Sequence, residues 1–252
     1  MRKILFACDL DNTLLVSAKR KKDEDICVEI NKGVRQSFIT PKAINLLRKL
    51  KEISVFIPVT TRSVEQYNRI NWPLGLAPKY AVVANGAILL EDNTEDIIWR
   101  KHTKQLIEPW QDELQRQLKI HEISGKYVKS RIVDESFLFL YCDEGTDTHA
   151  IKTELSLQTT LNVEATGRKI YLFPPNLSKG NALNRLKERF EPSFVYAAGD
   201  SFIDLSMLKS ADTAFAPYDL KDYDIENSKI QPDGAEFSEW FLEESIKEIE
   251  KE

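Results

Sequence analysis

Apolar and polar positions follow two different rhythms along the chain. Short, nearly unbroken apolar runs (ILFAC, SVFIPV, YAVVANGAILL and SFVYAA) read as strands of the kind that a parallel sheet covers on both faces. Between the first two, Thr40-Pro41 reads as an N-cap followed by proline at the first helical position. Ile44, Leu47, Leu50 and Ile53 then fall on one helical face. Strand, helix, strand in that order predicts a βαβ unit with a right-handed crossover. The charged stretch SAKRKKDEDICVEINKG that precedes the helix predicts a solvated loop or hairpin.

The rhythm changes after Asn85-Gly86, a strong turn signal. Leu106, Trp110, Leu114 and Leu118, at four-residue steps, predict one long helix. SFLFLYCDE, a helix through Ala150, Ile151 and Leu155, and GRKIYLFPP follow. Pro174-Pro175 marks the return, after which Ala182, Leu183, Leu186 and Phe190 give another amphipathic helix. A last helix should dock Phe237, Trp240 and Phe241 on the core. The expected architecture is α/β: a Rossmann-like parallel-sheet core from residues 1–86 and 174–252, with an inserted α+β cap over 87–173.

Composition narrows this picture little. The chain has 252 residues, 42% hydrophobic and 30% charged, which suits one large α/β domain or a core with a smaller second domain. A net charge of −5 gives no electrostatic reason to expect a nucleic-acid or anionic-membrane partner. No apolar run is long enough to span a bilayer, and Asp9 and Asp11 interrupt any signal-peptide segment. Three cysteines (Cys8, Cys27, Cys142) make a disulfide framework unexpected, so the cytoplasm is the expected compartment. His102, His121 and His149 share no metal-ligand spacing.

The chemistry lies at the strand ends. Asp9 and Asp11 close the first strand, Thr60 the second, and Asp200 with Asp204 the last. Lys179 opens the helix before that last strand. An Asp-rich turn is the competing reading of Asp9 to Asn12 taken alone. Carboxyl ends of strands in an open α/β sheet are where such folds bind ligands. Four carboxylates at one edge would repel strongly, and oxygen-only ligands without His or Cys point to Mg²⁺. The same groups suit phosphoryl transfer: a carboxylate to attack phosphorus, a lysine and a metal to offset charge, and a hydroxyl to bind a phosphoryl oxygen. A second carboxylate two residues from the first shares its facing and can move protons.

The ordered set DLDNT, TTR, SKGNAL and GDSFIDLSML resembles the haloacid dehalogenase superfamily of phosphohydrolases. The inserted segment is similar, by position and rough topology, to the large caps of its sugar-phosphatase branch. The resemblance implies Asp9 as nucleophile, forming an aspartyl-phosphate, and Asp11 as general acid/base. Thr60 and Lys179 would hold the phosphoryl group. Mg²⁺ would be bound by Asp9, by Asp11 through its backbone carbonyl, and by Asp200 with Asp204 close by. The implied substrate is a small phosphorylated metabolite, a sugar phosphate by branch. Lys126, Lys129, Arg131, Arg168 and Lys169 are the cap cations that could meet an anion. Two departures stand out: Thr61 where the family commonly has glycine, and Ile203 where it commonly has asparagine before the last aspartate. They keep open a regulatory protein that binds a phosphorylated metabolite without turnover, and a phosphomutase is a further alternative. A response-regulator receiver fits less well, because both Asp9 and Asp11 lie on the first strand.

Overall fold

The computed structural model describes residues 3–251. It opens with β1 (Ile4–Cys8), every residue of which is buried. A three-stranded antiparallel flap follows, built from β2 (Val16–Ser17), β3 (Ile26–Asn31) and β4 (Val34–Ile39). The charged stretch is therefore largely a hairpin. Helix α1 (Pro41–Ile53) starts where expected, with Thr40 Oγ1 accepting from the Ala43 amide at 3.0 Å. Next come β5 (Val55–Pro58), α2 (Val64–Asn68), β6 (Tyr80–Val83), β7 (Ile88–Glu91), β8 (Thr94–Glu95) and α3 (Ile97–Ile107).

The long helix expected through Leu106 and Leu118 is broken. Pro109 has no amide hydrogen to continue the helical ladder. A short 3-10 turn over Glu108–Trp110 therefore separates α3 from α4 (Gln111–Ser124). The chain continues through β9 (Lys129–Val133), β10 (Phe137–Tyr141), α5 (Thr148–Ser156), β11 (Asn162–Thr166) and β12 (Lys169–Phe173). It closes with α6 (Lys179–Phe190), β13 (Phe194–Ala198), α7 (Leu205–Ser210), β14 (Thr213–Ala216), β15 (Ser228–Ile230) and α8 (Phe237–Lys251).

Five strands, in the order β15-β14-β13-β1-β5, form an all-parallel sheet with β1 near its centre. The Phe6 ring lies 6.0–6.2 Å from those of Phe56, Tyr196, Phe215 and Phe241, so α8 covers one sheet face with aromatic contacts. Leu5 and Ala7 point the other way, into an apolar cluster with Leu183, Leu186 and Met207 from α6 and α7. Both faces are thus covered, and the strand ends are left to carry polar groups.

The four-stranded antiparallel sheet β11-β12-β10-β9 belongs to the middle of the chain and has its own apolar cluster around Leu114, Leu138, Leu140 and Leu172. The sheets do not divide at Asn85-Gly86. There the backbone takes positive φ at Ala84, Asn85 and Gly86 and returns β7 antiparallel along β6. A Val59–Val82 bridge joins β6 to the end of β5. Leu89 and Trp99 pack with Leu5 and Ile57, so residues 87–99 lie against the parallel sheet. No helix among the described residues is long and apolar enough to cross a membrane.

Candidate active site

The site begins with β1. Its backbone passes the sheet edge at Asp9, whose amide donates to Ala198 O at 2.9 Å and ties it to the end of β13. The chain then turns sharply. Leu10 O accepts from the amides of Thr13, Leu14 and Leu15, and Asn12 takes φ 64°. Leu10 is fully buried, so its neighbours Asp9 and Asp11 both face the edge. Asp9 is itself buried, whereas the Asp11 side chain is 40% exposed.

Lys179 is the first residue of α6, capped by Ser178 Oγ on the Asn181 amide. Its ammonium is 2% exposed and bonds Asp9 Oδ1 as well as Asp204 Oδ1, the latter at 2.5 Å. Burial alone would lower its pKa, but Asp204 and Asp9 outweigh that and raise it, keeping the lysine charged. The other oxygen of Asp204 accepts from the amides of Asp200 (3.2 Å) and Ser201 (3.0 Å) and from Ser201 Oγ (2.8 Å). Asp204 is thereby a post that fixes Lys179 and the loop after β13. Its close approach explains Gly199: a Cβ there would lie 2.5 Å from Asp204 Cβ. Asp200 Oδ1 accepts from Thr13 Oγ1 at 3.0 Å, joining the β1 and β13 loops.

One ligand oxygen each from Asp9, Asp200 and Asp204 come within 4.8 Å of one another. Burial first, then the neighbouring carboxylates, raise the pKa of both Asp9 and Asp200. The group holds more negative charge than Lys179 offsets, and its donors are all oxygens. Both features fit a hard divalent cation. Asp11, expected to reach a metal through its backbone carbonyl, has its carboxylate taken up by Arg62. It receives a two-pronged pair from Arg62, Nε to Oδ2 at 2.9 Å and Nη2 to Oδ1 at 2.6 Å. Burial would raise the Asp11 pKa, but Arg62 wins and lowers it.

Thr60 ends the second strand as expected, with its amide on Val82 O at 2.9 Å and its Oγ1 accepting from the Arg62 amide at 3.2 Å. It is buried, and Thr61 rather than Thr60 lines the open cavity of about 310 Å³ above the carboxylates. Of the five cap cations, Arg168 and Lys169 line that cavity; Lys126, Lys129 and Arg131 do not.

Two functional-site residues were not legible as such in the sequence. Arg62 was read only as the last letter of TTR, and Glu29 as part of a solvated hairpin. Glu29 is 4% exposed and accepts from Arg62 Nη1 (2.8 Å), Arg69 Nε (3.1 Å) and Ser37 Oγ (2.7 Å). Arg62 thus bridges a flap carboxylate to Asp11. The available signal was an acid inside the apolar run ICVEI.

A family model for haloacid dehalogenase-like hydrolases matches residues 110–217, a stretch that contains Lys179, Asp200 and Asp204. Solved structures show a likeness in fold over the whole chain. The sucrose-phosphatase of Synechocystis sp., solved with sucrose and phosphate, superposes with a TM-score of 0.70 at 18% identity, covering 99% of both chains. The chain therefore shares the fold of haloacid dehalogenase-like phosphatases, and residues 110–217 match the model of that hydrolase family. A haloacid dehalogenase-like hydrolase from B. subtilis follows with a TM-score of 0.59, 17% identity and 98% of each chain covered. A trehalose-6-phosphate phosphatase related protein gives 0.58 at 14% identity, covering 98% of this chain and 97% of its own. Among curated proteins no sequence matches.

Both departures from the superfamily's pattern have local partners. Thr61 lies close enough to the Tyr171 hydroxyl to lower its pKa, although burial dominates and raises it. Ile203 is 9% exposed and belongs to the apolar cluster that contains Leu10 and Leu14.

Proposed function

We propose that the chain is a Mg²⁺-dependent phosphatase that hydrolyses a small phosphorylated metabolite of the sugar-phosphate class through an aspartyl-phosphate at Asp9. The observation that carries this reading is the convergence of Asp9, Lys179 and Asp200 from separate elements on one cavity floor, with buried Asp204 behind them. The sucrose-phosphatase likeness supports the substrate class. Asp9 and Asp200 would hold Mg²⁺, with Asp204 behind them and the Asp11 carbonyl as a further ligand. When bound, the ion offsets charge on the transferring phosphoryl oxygens.

The chain's own groups do the rest. An Asp9 oxygen attacks phosphorus, a new O–P bond forms, and the bond to the leaving oxygen breaks. Asp11 gives that oxygen a proton. It then takes a proton from the water that attacks the aspartyl-phosphate, which frees phosphate and restores Asp9. Paired with Arg62, Asp11 is held ionised, the state that accepts a proton from water. Donation to the leaving group therefore requires Asp11 to part from Arg62 and be protonated. Lys179 keeps Asp9 oriented and offsets phosphoryl charge, whereas Thr60, buried and off the cavity lining, is left to support the loop through Arg62. The antiparallel module around β9 to β12 acts as the lid over this floor, with no nucleic acid or membrane involved.

The test is phosphate release from a panel of phosphorylated sugars with Mg²⁺ and with chelator. Mg²⁺-dependent release from at least one is expected. Tight binding of a phosphorylated sugar without release would favour a regulatory protein instead.

A further inference from the structure

The cap wall of the cavity has a composition that the phosphatase reading does not use. It is made by the β11–β12 turn and two aromatic rings: Thr166, Gly167, Arg168 and Lys169 with Tyr141 and Tyr171. No carboxylate or carboxamide stands on it. Carboxylates and carboxamides are common acceptors for sugar hydroxyls, and in their place the wall offers the hydroxyls of Thr166, Tyr141 and Tyr171. The wall also presents two cations, and Lys19, between β2 and β3, adds a third to the cavity lining.

None of these cations is held in an ion pair within 4 Å among the described residues. Arg168 donates through Nε to Cys142 O at 2.9 Å, and its guanidinium sits 4.6 Å from the centre of the Tyr141 ring. That leaves its terminal amino groups without a protein acceptor among the described residues. Neither Arg168, Lys169 nor Lys19 has a carboxylate within 4 Å among the described residues. Every floor cation, by contrast, is paired: Lys179 with Asp9 and Asp204, and Arg62 with Asp11 and Glu29.

A transferring phosphoryl group is already met on the floor by Lys179 and by the cation that the carboxylates fit. Three further positive charges around a cavity of about 310 Å³ then have no carboxylate within 4 Å among the described residues, and only Lys169 feels Asp11 and Asp9 at longer range. We propose that the leaving group of the substrate carries an anion of its own, a carboxylate or a second phosphate, which Arg168 and Lys169 bind. A planar guanidinium fixed on a tyrosine face presents two parallel donors to such a group. The inference rests on the phosphatase reading of the floor, but it concerns the opposite wall.

A matched pair of substrates tests it: 3-phosphoglycerate and glycerol 3-phosphate, which share a three-carbon frame and differ in a carboxylate against a hydroxymethyl group. The wild-type chain with Mg²⁺ is expected to prefer 3-phosphoglycerate in kcat/KM by about ten-fold or more, as charge-assisted hydrogen bonds allow. The double variant Arg168→Gln/Lys169→Gln should lower that ratio at least about five-fold, and Arg168→Lys should keep most of it. A wild-type ratio of one or less would overturn the proposal. So would equal losses for both substrates in the double variant, because the cations would then serve the transferring phosphoryl group. Turnover of p-nitrophenyl phosphate reports on the floor separately. If that compound and all others are inert, the phosphatase reading fails, and calorimetric binding of the same pair decides the cap question. Tighter 3-phosphoglycerate binding that the double variant loses supports the anion site. Equal binding, or none, contradicts it.

Discussion

The floor and the cap wall of one cavity differ in how their charges are satisfied. On the floor every cation is held by carboxylates, and each aspartate has a fixed donor: Lys179, Arg62, Thr13 or a loop amide. On the wall Arg168 and Lys169 line the cavity with no carboxylate within 4 Å among the described residues. The floor arrives preset by the fold, with geometry frozen by buried hydrogen bonds before any ligand enters. The wall leaves its charge to be completed by whatever binds. On the proposed reading, chemistry is fixed below and selectivity is decided above.

Breaking the floor should cost most. Asp9→Asn keeps the side chain's shape but removes the nucleophilic charge, so turnover should fall on the order of 10³-fold or more in steady-state phosphate release. The buried fold should survive, since an uncharged residue is easier to bury. Gly199→Ala comes next. The added methyl would collide with Asp204, and the expected result is about 1–3 kcal/mol of lost stability in denaturant unfolding together with reduced turnover.

Glu29→Gln probes the link from flap to Asp11. It removes the charge that Arg62 and Arg69 share, at a cost of about 1–3 kcal/mol, and should shift the pH profile of kcat because Arg62 is freed to pair more fully with Asp11. The sign of the acid limb follows from the same contacts. Burial would raise the Glu29 pKa, but Arg62, Ser37 and Arg69 hold it below its ordinary 4.5. Its stabilisation is therefore complete above that value and lost as pH falls below it. Thermal unfolding across pH 3 to 6 (roughly the carboxylate range) should show a shallower acid limb in Glu29→Gln than in wild type.

Ile203→Asn, which would restore the superfamily's common residue, should destabilise by about 1–3 kcal/mol, because Ile203 is buried in an apolar cluster. The smallest effect is expected from Thr61→Gly, within about two-fold in kcat/KM, since a single neutral polar contact to Tyr171 is lost.

The floor was legible in the sequence because strand ends announce themselves. An apolar run that stops on acids places them at the sheet edge, and a spacing of two gives Asp9 and Asp11 one facing. Asp200, Asp204 and Lys179 followed from the same logic. What escaped were interactions between segments far apart. Glu29 reaches Arg62 across 33 positions and Arg69 across 40, and local charge patterning had marked its hairpin as solvated. The direction of the Asp11 carboxylate depends on that pairing, so it too was hidden. Four-residue periodicity ran straight through Pro109, although proline cannot continue the helical ladder. Residues 87–99 were assigned to the cap because the strand–helix rhythm changes there, whereas the Asn85-Gly86 turn folds them back on the parallel sheet.

The central claim is covalent catalysis at Asp9, and trapping the intermediate tests it most directly. Wild-type protein turning over a phosphorylated substrate with Mg²⁺ is quenched with borohydride, which reduces an acyl phosphate to an alcohol. Peptide mass spectrometry should then find homoserine at position 9, absent without substrate and absent in Asp9→Asn. Sustained phosphate release with residue 9 unmodified, or with the mark on another carboxylate, would contradict the account.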